Sequence, residues 1–264
     1  MHAQTATPRW ALILGASSGF GEACALALAE AGYDIAGVHL DRKAGIAHVD
    51  EIKAVIAGRG RRAVFFNVNA ADDQKRQEVL DALAVETREH GGTVAVLMHS
   101  LAFGTLKPYI AEDALTRANI EMTLDVMAHS LLYWTQDLVK RDLMGRGGRI
   151  FSMTSSGSER VIPSYGAISA AKCALESHTR QLAVELAHQG VTVNALRGGV
   201  TRTPASERIP ASAQLFEQAA RRNPYGRLTT PTDVAAAVVA LCHPGTDWIT
   251  GNVINVDGGE EVSG

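Results

Sequence analysis

The stretch "WALILGASSGFGEACALALAEAGYDIAGVHL", Trp10 to Leu40, places an apolar run, a glycine-rich turn, a helical stretch and a second apolar run in immediate succession. Gly15, Gly19 and Gly21 are spaced G-x-x-x-G-x-G where strand gives way to helix. Glycine permits a tight turn and lets backbone approach a pyrophosphate, whose charge a helix N-terminus favours. Three glycines alone read equally well as a turn with no ligand. Their place after the first strand, opening a helix and ahead of a second strand, selects dinucleotide binding, with Ser17, Ser18 and Phe20 completing the loop.

The same alternation continues along the chain. "WALIL", "DIAGVHL", "AVFFNV", "TVAVLM", "GRIFSM", "VTVNAL" and "NVINV" are short apolar runs rich in Val and Ile and read as seven strands. Helical periods fall between them at Gly21 to Ala31, Asp72 to His90, Arg117 to Leu143, Ser164 to His188 and Thr232 to Leu241. Continuous apolar strands alternating with helices predict an α/β fold: one Rossmann-type, doubly wound parallel sheet of seven strands, covering residues 1–264 as a single domain. Ligands of such sheets bind beyond the carboxyl ends of the strands, so function is expected in the loops there. Residues 202–227, with three prolines, read as an irregular loop of the length that often forms a substrate lid.

With 264 residues, 46% of them apolar, the chain has enough material for a full core. A formal charge of −3, with no basic run longer than two residues, argues against nucleic acid or an anionic membrane as partner. The start "MHAQTATPRW" has no apolar signal core, and no segment approaches the roughly 18 apolar residues of a membrane span. Cys24, Cys173 and Cys242 share no metal or redox spacing and read as reduced, buried thiols, which suggests the cytoplasm and no metal site.

The phosphate loop, the strand pattern and a helix carrying both Tyr165 and Lys172 together resemble the short-chain dehydrogenase/reductase family over nearly the whole chain. That resemblance implies a nicotinamide cofactor, with Asn67 and Val68 flanking the adenine. His99, Ser100 and Leu101 stand where the family usually has Asn-Asn-Ala, for backbone contact with the nicotinamide ribose. In "GGVTRT", which Gly198 opens, Val200 and Thr203 would meet the carboxamide.

An acidic residue ending the second strand usually holds the ribose of NAD, whereas a cation there accommodates the NADP phosphate. Here His39 takes the usual aspartate position, and Asp41 comes two residues late, followed by Arg42 and Lys43. NADP(H) is favoured and NAD(H) remains possible, since Arg42 and Lys43 read equally as solvated charges.

Six residues separate Tyr165 from Lys172, and Ser169 occupies the position where family members usually place the lysine. On a helix, offsets of four and of seven both keep two side chains on one face, but the longer one adds ~4.5 Å along the axis. A ketoreductase acid must reach the oxygen on the carbon that accepts hydride. In conjugate reduction of an α,β-unsaturated thioester, hydride lands on the β-carbon while charge develops on the distant carbonyl oxygen, so the acid must stand further off. If Lys172 stays beside the ribose, as the resemblance implies, the displaced Tyr165 suits the enolate oxygen.

Tyr-x6-Lys, "HSLAF" and "SERVIPSY" are similar to the enoyl-(acyl-carrier-protein) reductases of bacterial fatty acid synthesis. The full G-x-x-x-G-x-G, and Ser155 where the commonest type often has a second tyrosine, resemble the variants that retain the ordinary short-chain loop. Ser155 would bond the substrate or merely cap a turn. Met127 stands where ketoreductases of the family usually have an asparagine supporting a proton relay, which a thioether cannot do. The implied substrate is an acyl thioester on acyl-carrier protein or CoA, with Arg202, Arg208, Arg221 and Arg222 as cations for an acidic carrier. The resemblance also implies a homo-oligomer, tetramer or dimer, assembled through the helices at 117–143 and 164–188. A ketoreductase or alcohol dehydrogenase, and a catalytically inactive cofactor-binding redox sensor, are the alternatives.

Overall fold

The structure, a computed structural model, describes residues 8–210 and 212–263. All seven expected strands are present: β1 (Arg9–Leu14), β2 (Asp34–His39), β3 (Ala63–Asn67), β4 (Thr93–His99), β5 (Arg149–Thr154), β6 (Thr192–Gly198) and β7 (Val253–Val256). They pair in parallel in the order β3-β2-β1-β4-β5-β6-β7. The chain runs outward from β1 to β3 and then returns to place β4 on the other side of β1. The loops after β1 and β4 therefore diverge, and the crevice between them is where a doubly wound sheet takes its ligand.

Side chains of β1 alternate between the two faces, as the pleat requires. Trp10, Leu12 and Leu14 join one buried cluster, while Ala11 and Ile13 join the other. The first cluster is covered by α3 (Asp73–His90), α5 (Ser130–Lys140) and α6 (Gly166–Glu185). The second is covered by α1 (Gly19–Glu30), α2 (Ile46–Gly58) and α8 (Pro231–Leu241).

Three helical expectations change. The stretch expected as one helix over 117–143 is α4 (Arg117–Leu124), a π-helical turn (Asp125–His129) and then α5, so Met127 sits on a bulge, a feature frequent at functional sites. The helix expected from Ser164 begins at Gly166, because Ser164 has φ +61° and Tyr165 is the residue that caps α6. The stretch 202–227 is not wholly irregular: it holds α7 (Ser212–Arg222), whose buried face consists of Phe216 and Ala219. Cys173 is exposed rather than buried, because it lies on the outer side of α6, whereas Cys24 is in the core.

Candidate active site

The loop after β1 is shaped by contacts only glycine allows. Gly15 has φ +89°, and a Cβ on Gly21 would stand 2.0 Å from the Gly15 carbonyl oxygen. The first turn of α1 is thereby pressed onto the loop. The N-termini of α3, α4 and α8 are capped by the side chains of Asp72, Thr116 and Thr230. Ser18, at the same position of α1, makes no side-chain cap, so the first amides of this helix face the crevice without a side-chain acceptor.

That crevice is a cleft of about 800 Å³. Gly15, Ser17, Ser18, Gly19 and Phe20 form its floor, and Thr203 closes on Gly19 from the far side. Asp41, Arg42, Val68, Ser100 and Leu101 also line it. The lining, an uncapped helix end above close-packed glycines, fits a dinucleotide pyrophosphate.

Asn67 and His99 do not form the wall. The Asn67 side chain accepts from Asp41 N and donates to Asp41 O, both at 2.9 Å, and so clasps the loop after β2. His99 is fully buried, and its Nε2 lies 2.8 Å from Ser130 Oγ. Burial, with the Lys172 charge adding to it, pushes the imidazole down to about 3, which keeps it neutral. At the rim, buried His39 holds the Asp41 carboxylate at 2.9 Å, whereas Arg42 is exposed and has no ion-pair partner among the described residues.

A second pocket, of about 440 Å³, opens from the cleft across Phe20, Ser100, Leu101 and Thr203. Tyr165, Lys172, Ser155, Met127, Gly198 and Val200 all line it. The Tyr165 ring lies against Gly157, where a Cβ would come within 2.6 Å of it, and its hydroxyl is 3.4 Å from Ser155 Oγ. Burial raises the phenol above its ordinary value and the Ser155 contact opposes this, so the hydroxyl keeps its proton at neutral pH. Ser155 Oγ also accepts from Gly157 N at 3.1 Å; it both shapes the turn and stands beside the tyrosine. Lys172 Nζ donates to Met153 O at 2.7 Å. Its burial lowers the ammonium to about 8, with the Glu176 carboxylate resisting the fall. The amide of Val200 donates to Glu260 Oε2 at 3.0 Å.

Of the four arginines expected near the portal, Arg208 lines both cavities and has no carboxylate partner among the described residues. Arg221 is paired with Glu217, Arg222 with Glu260 and Arg202, more loosely, with Glu207. Phe103 and Arg160, which line the second pocket, enter the sequence reading only as parts of "HSLAF" and "SERVIPSY", and Glu176 and Glu260 were missed. Glu176 carried a signal, since it follows Lys172 by four residues and so shares its helix face. The other three come together only through tertiary packing.

The sequence model of the enoyl-(acyl carrier protein) reductase family matches residues 15–261. The chain is 33% identical over 180 residues to an enoyl-(acyl-carrier-protein) reductase (NADH) of Aquifex aeolicus, covering 67% of this chain and 65% of that relative. It is 29% identical over 262 residues to an NADPH-dependent aldehyde reductase-like protein, chloroplastic, of Arabidopsis thaliana, covering 95% and 93%. The crystal structure of enoyl-(acyl-carrier-protein) reductase (NADH) from Aquifex aeolicus VF5 superimposes with a TM-score of 0.82 and 28% identity, over 96% of each chain. With a doubly wound sheet, a glycine cradle for a nicotinamide dinucleotide and a Tyr/Lys pocket beside it, the chain belongs to the short-chain dehydrogenase/reductase family, in the group described by the enoyl-(acyl carrier protein) reductase model.

Proposed function

We propose that the protein reduces the carbon–carbon double bond of trans-2-enoyl thioesters. The observation that carries this reading is the seven-residue offset of Tyr165 and Lys172 in one apolar pocket, with Met127 rather than an amide beside them. The bound nicotinamide supplies the hydride. Tyr165 holds a proton in a buried hydroxyl at the start of α6, donates a hydrogen bond to the carbonyl oxygen as negative charge gathers there and then gives up that proton; the resulting enol tautomerises to the saturated thioester, and solvent reprotonates the tyrosine. Lys172, anchored by Met153 O, presents its ammonium to the cofactor ribose and contributes before any hydride moves. Ser155 restrains the tyrosine hydroxyl from the other side. Leu106, Ile162, Ile168 and Leu215 give the acyl chain a dry wall and exclude water from the reacting carbons.

NADPH is the cofactor in this reading. The Asp41 carboxylate, which would hold an NAD ribose, is occupied by His39, whereas Arg42 is free to meet a 2′-phosphate. The similar Aquifex protein is described with NADH and the Arabidopsis one with NADPH, so the ratio of NADPH to NADH affinities tests the assignment directly. Acyl-carrier protein is the carrier, with Arg208 at the junction of the two cavities as the cation left for it. No helix among the described residues is long and apolar enough to cross a membrane. In this reading the reaction runs in the cytoplasm, which three free cysteines suit. Assembly into a homo-oligomer through α4, α5 and α6 completes the reading, and light scattering at micromolar concentration tests it.

A ketoreductase is the second reading, favoured by the Ser155–Tyr165 pair, which could equally bind a ketone oxygen. A crotonyl thioester and a β-keto thioester assayed side by side with NADPH separate the two. A protein that binds the cofactor and turns over neither would be the redox sensor.

A further inference from the structure

We propose that Glu176 is a positioning residue that keeps Lys172 in its charged form, acting from one helical turn behind it through a cluster of buried Thr154 and Arg197 whose outer end is the exposed Glu159. The proposal rests on the reading that Lys172 works as a cation toward the cofactor.

Glu176 is 8% exposed and follows Lys172 by four residues on α6, so both side chains leave the same face of the helix toward the ends of β5 and β6. Its Oε1 accepts from the Thr154 hydroxyl at 2.6 Å and lies 3.5 Å from Arg197 Nη2. Arg197, on β6 and also buried, is already held in a fork by Glu159, at 2.7 and 3.1 Å. The guanidinium therefore has its own carboxylate, and Glu176 is the second. Two carboxylates, one guanidinium and one ammonium sum to zero only while Lys172 is protonated. Glu159 reaches solvent and answers Arg197, so if Lys172 released its proton the charge left uncompensated would be that of buried Glu176, which is costly.

The other titratable groups packed around α6 do not supply this counter-charge. His99 at the end of β4 is neutral, and Tyr165 retains its proton. On the π turn, His129 faces His178 at 3.0 Å, and Asp125 is turned to Tyr133. Glu176 is the anion that opposes the desolvation of Lys172. Thr154 and Arg197 fix where that anion stands, so the lysine stays mostly charged at neutral pH despite its burial.

Glu176→Gln keeps an acceptor for Thr154 and removes the charge. The readout is acetylation of Lys172 by acetic anhydride, followed by mass spectrometry from pH 6 to pH 10, which needs neither cofactor nor turnover. The wild-type midpoint should lie near 8. In Glu176→Gln it should fall by about one pH unit or more, the scale of losing an opposite charge nearby. Arg197→Gln should move it the opposite way, by leaving the cluster more negative. A midpoint that does not move in Glu176→Gln overturns the proposal. If that variant does not fold, a midpoint in Arg197→Gln that stays or falls overturns it equally. NADPH affinity is titrated in parallel. A shifted labelling midpoint with cofactor affinity unchanged across pH would uphold the role of Glu176 and remove the contact between Lys172 and the ribose.

Discussion

Lys172→Met should make the protein more stable and less functional at neutral pH. The side chain is buried, and its ammonium falls from 10.5 to about 8 on folding because burial disfavours the charged form. Between those values the unfolded chain holds a proton that the folded chain has released, so stability rises with pH across that window. Below about pH 8 both states are protonated, and the folded state carries the whole penalty. At 1.36 kcal/mol per pH unit this amounts to roughly 3 kcal/mol. Methionine, one atom shorter, fills most of the space without the charge but leaves Met153 O without its donor, a loss of about 1 kcal/mol. The net expectation at pH 7 is a gain of about 2 kcal/mol that shrinks as pH rises toward 10.5. Urea unfolding at pH 7, 9 and 10, at one protein concentration, measures this. A variant less stable than wild type at pH 7, or an advantage that does not shrink with pH, would refute the reasoning. The same variant should bind NADPH more weakly.

Three further outcomes are expected. Tyr165→Phe removes one donor and little volume, so single-turnover reduction should slow by roughly 10²-fold while NADPH affinity by fluorescence titration is unchanged. Gly21→Ala drives a methyl to 2.0 Å from the Gly15 carbonyl oxygen; a thermal scan should show a loss of about 1–3 kcal/mol, and cofactor affinity should fall with the displaced loop. Arg42→Ala should weaken NADPH by roughly tenfold, the scale of losing one hydrogen bond to a charged group, and leave NADH nearly untouched.

The sheet was legible because its strands are dominated by apolar residues with helices on both faces, and the phosphate loop because its glycines sit at the first strand-to-helix junction, where backbone approaches backbone. The helix ends were less so. Nothing in "LDVMAHS" distinguishes a π turn from an α turn, since the difference lies in how the backbone accommodates the pocket beneath it. α7 was obscured by Pro204, Pro210 and Pro224 around it and by an apolar face of only two buried residues. The directions of the Asn67 and His99 side chains were not legible: one folds back on the loop after β2, and the other points into the core to Ser130. The clustering of Glu176 with Arg197 brings together α6 and β6, which the order of residues along the chain does not announce.

Turnover of a crotonyl thioester and of a matched β-keto thioester, measured with NADPH on the same preparation, tests the central claim most directly. A seven-residue offset that sets Tyr165 against the enolate oxygen predicts faster reduction of the crotonyl substrate. Equal or faster turnover of the β-keto thioester would contradict it.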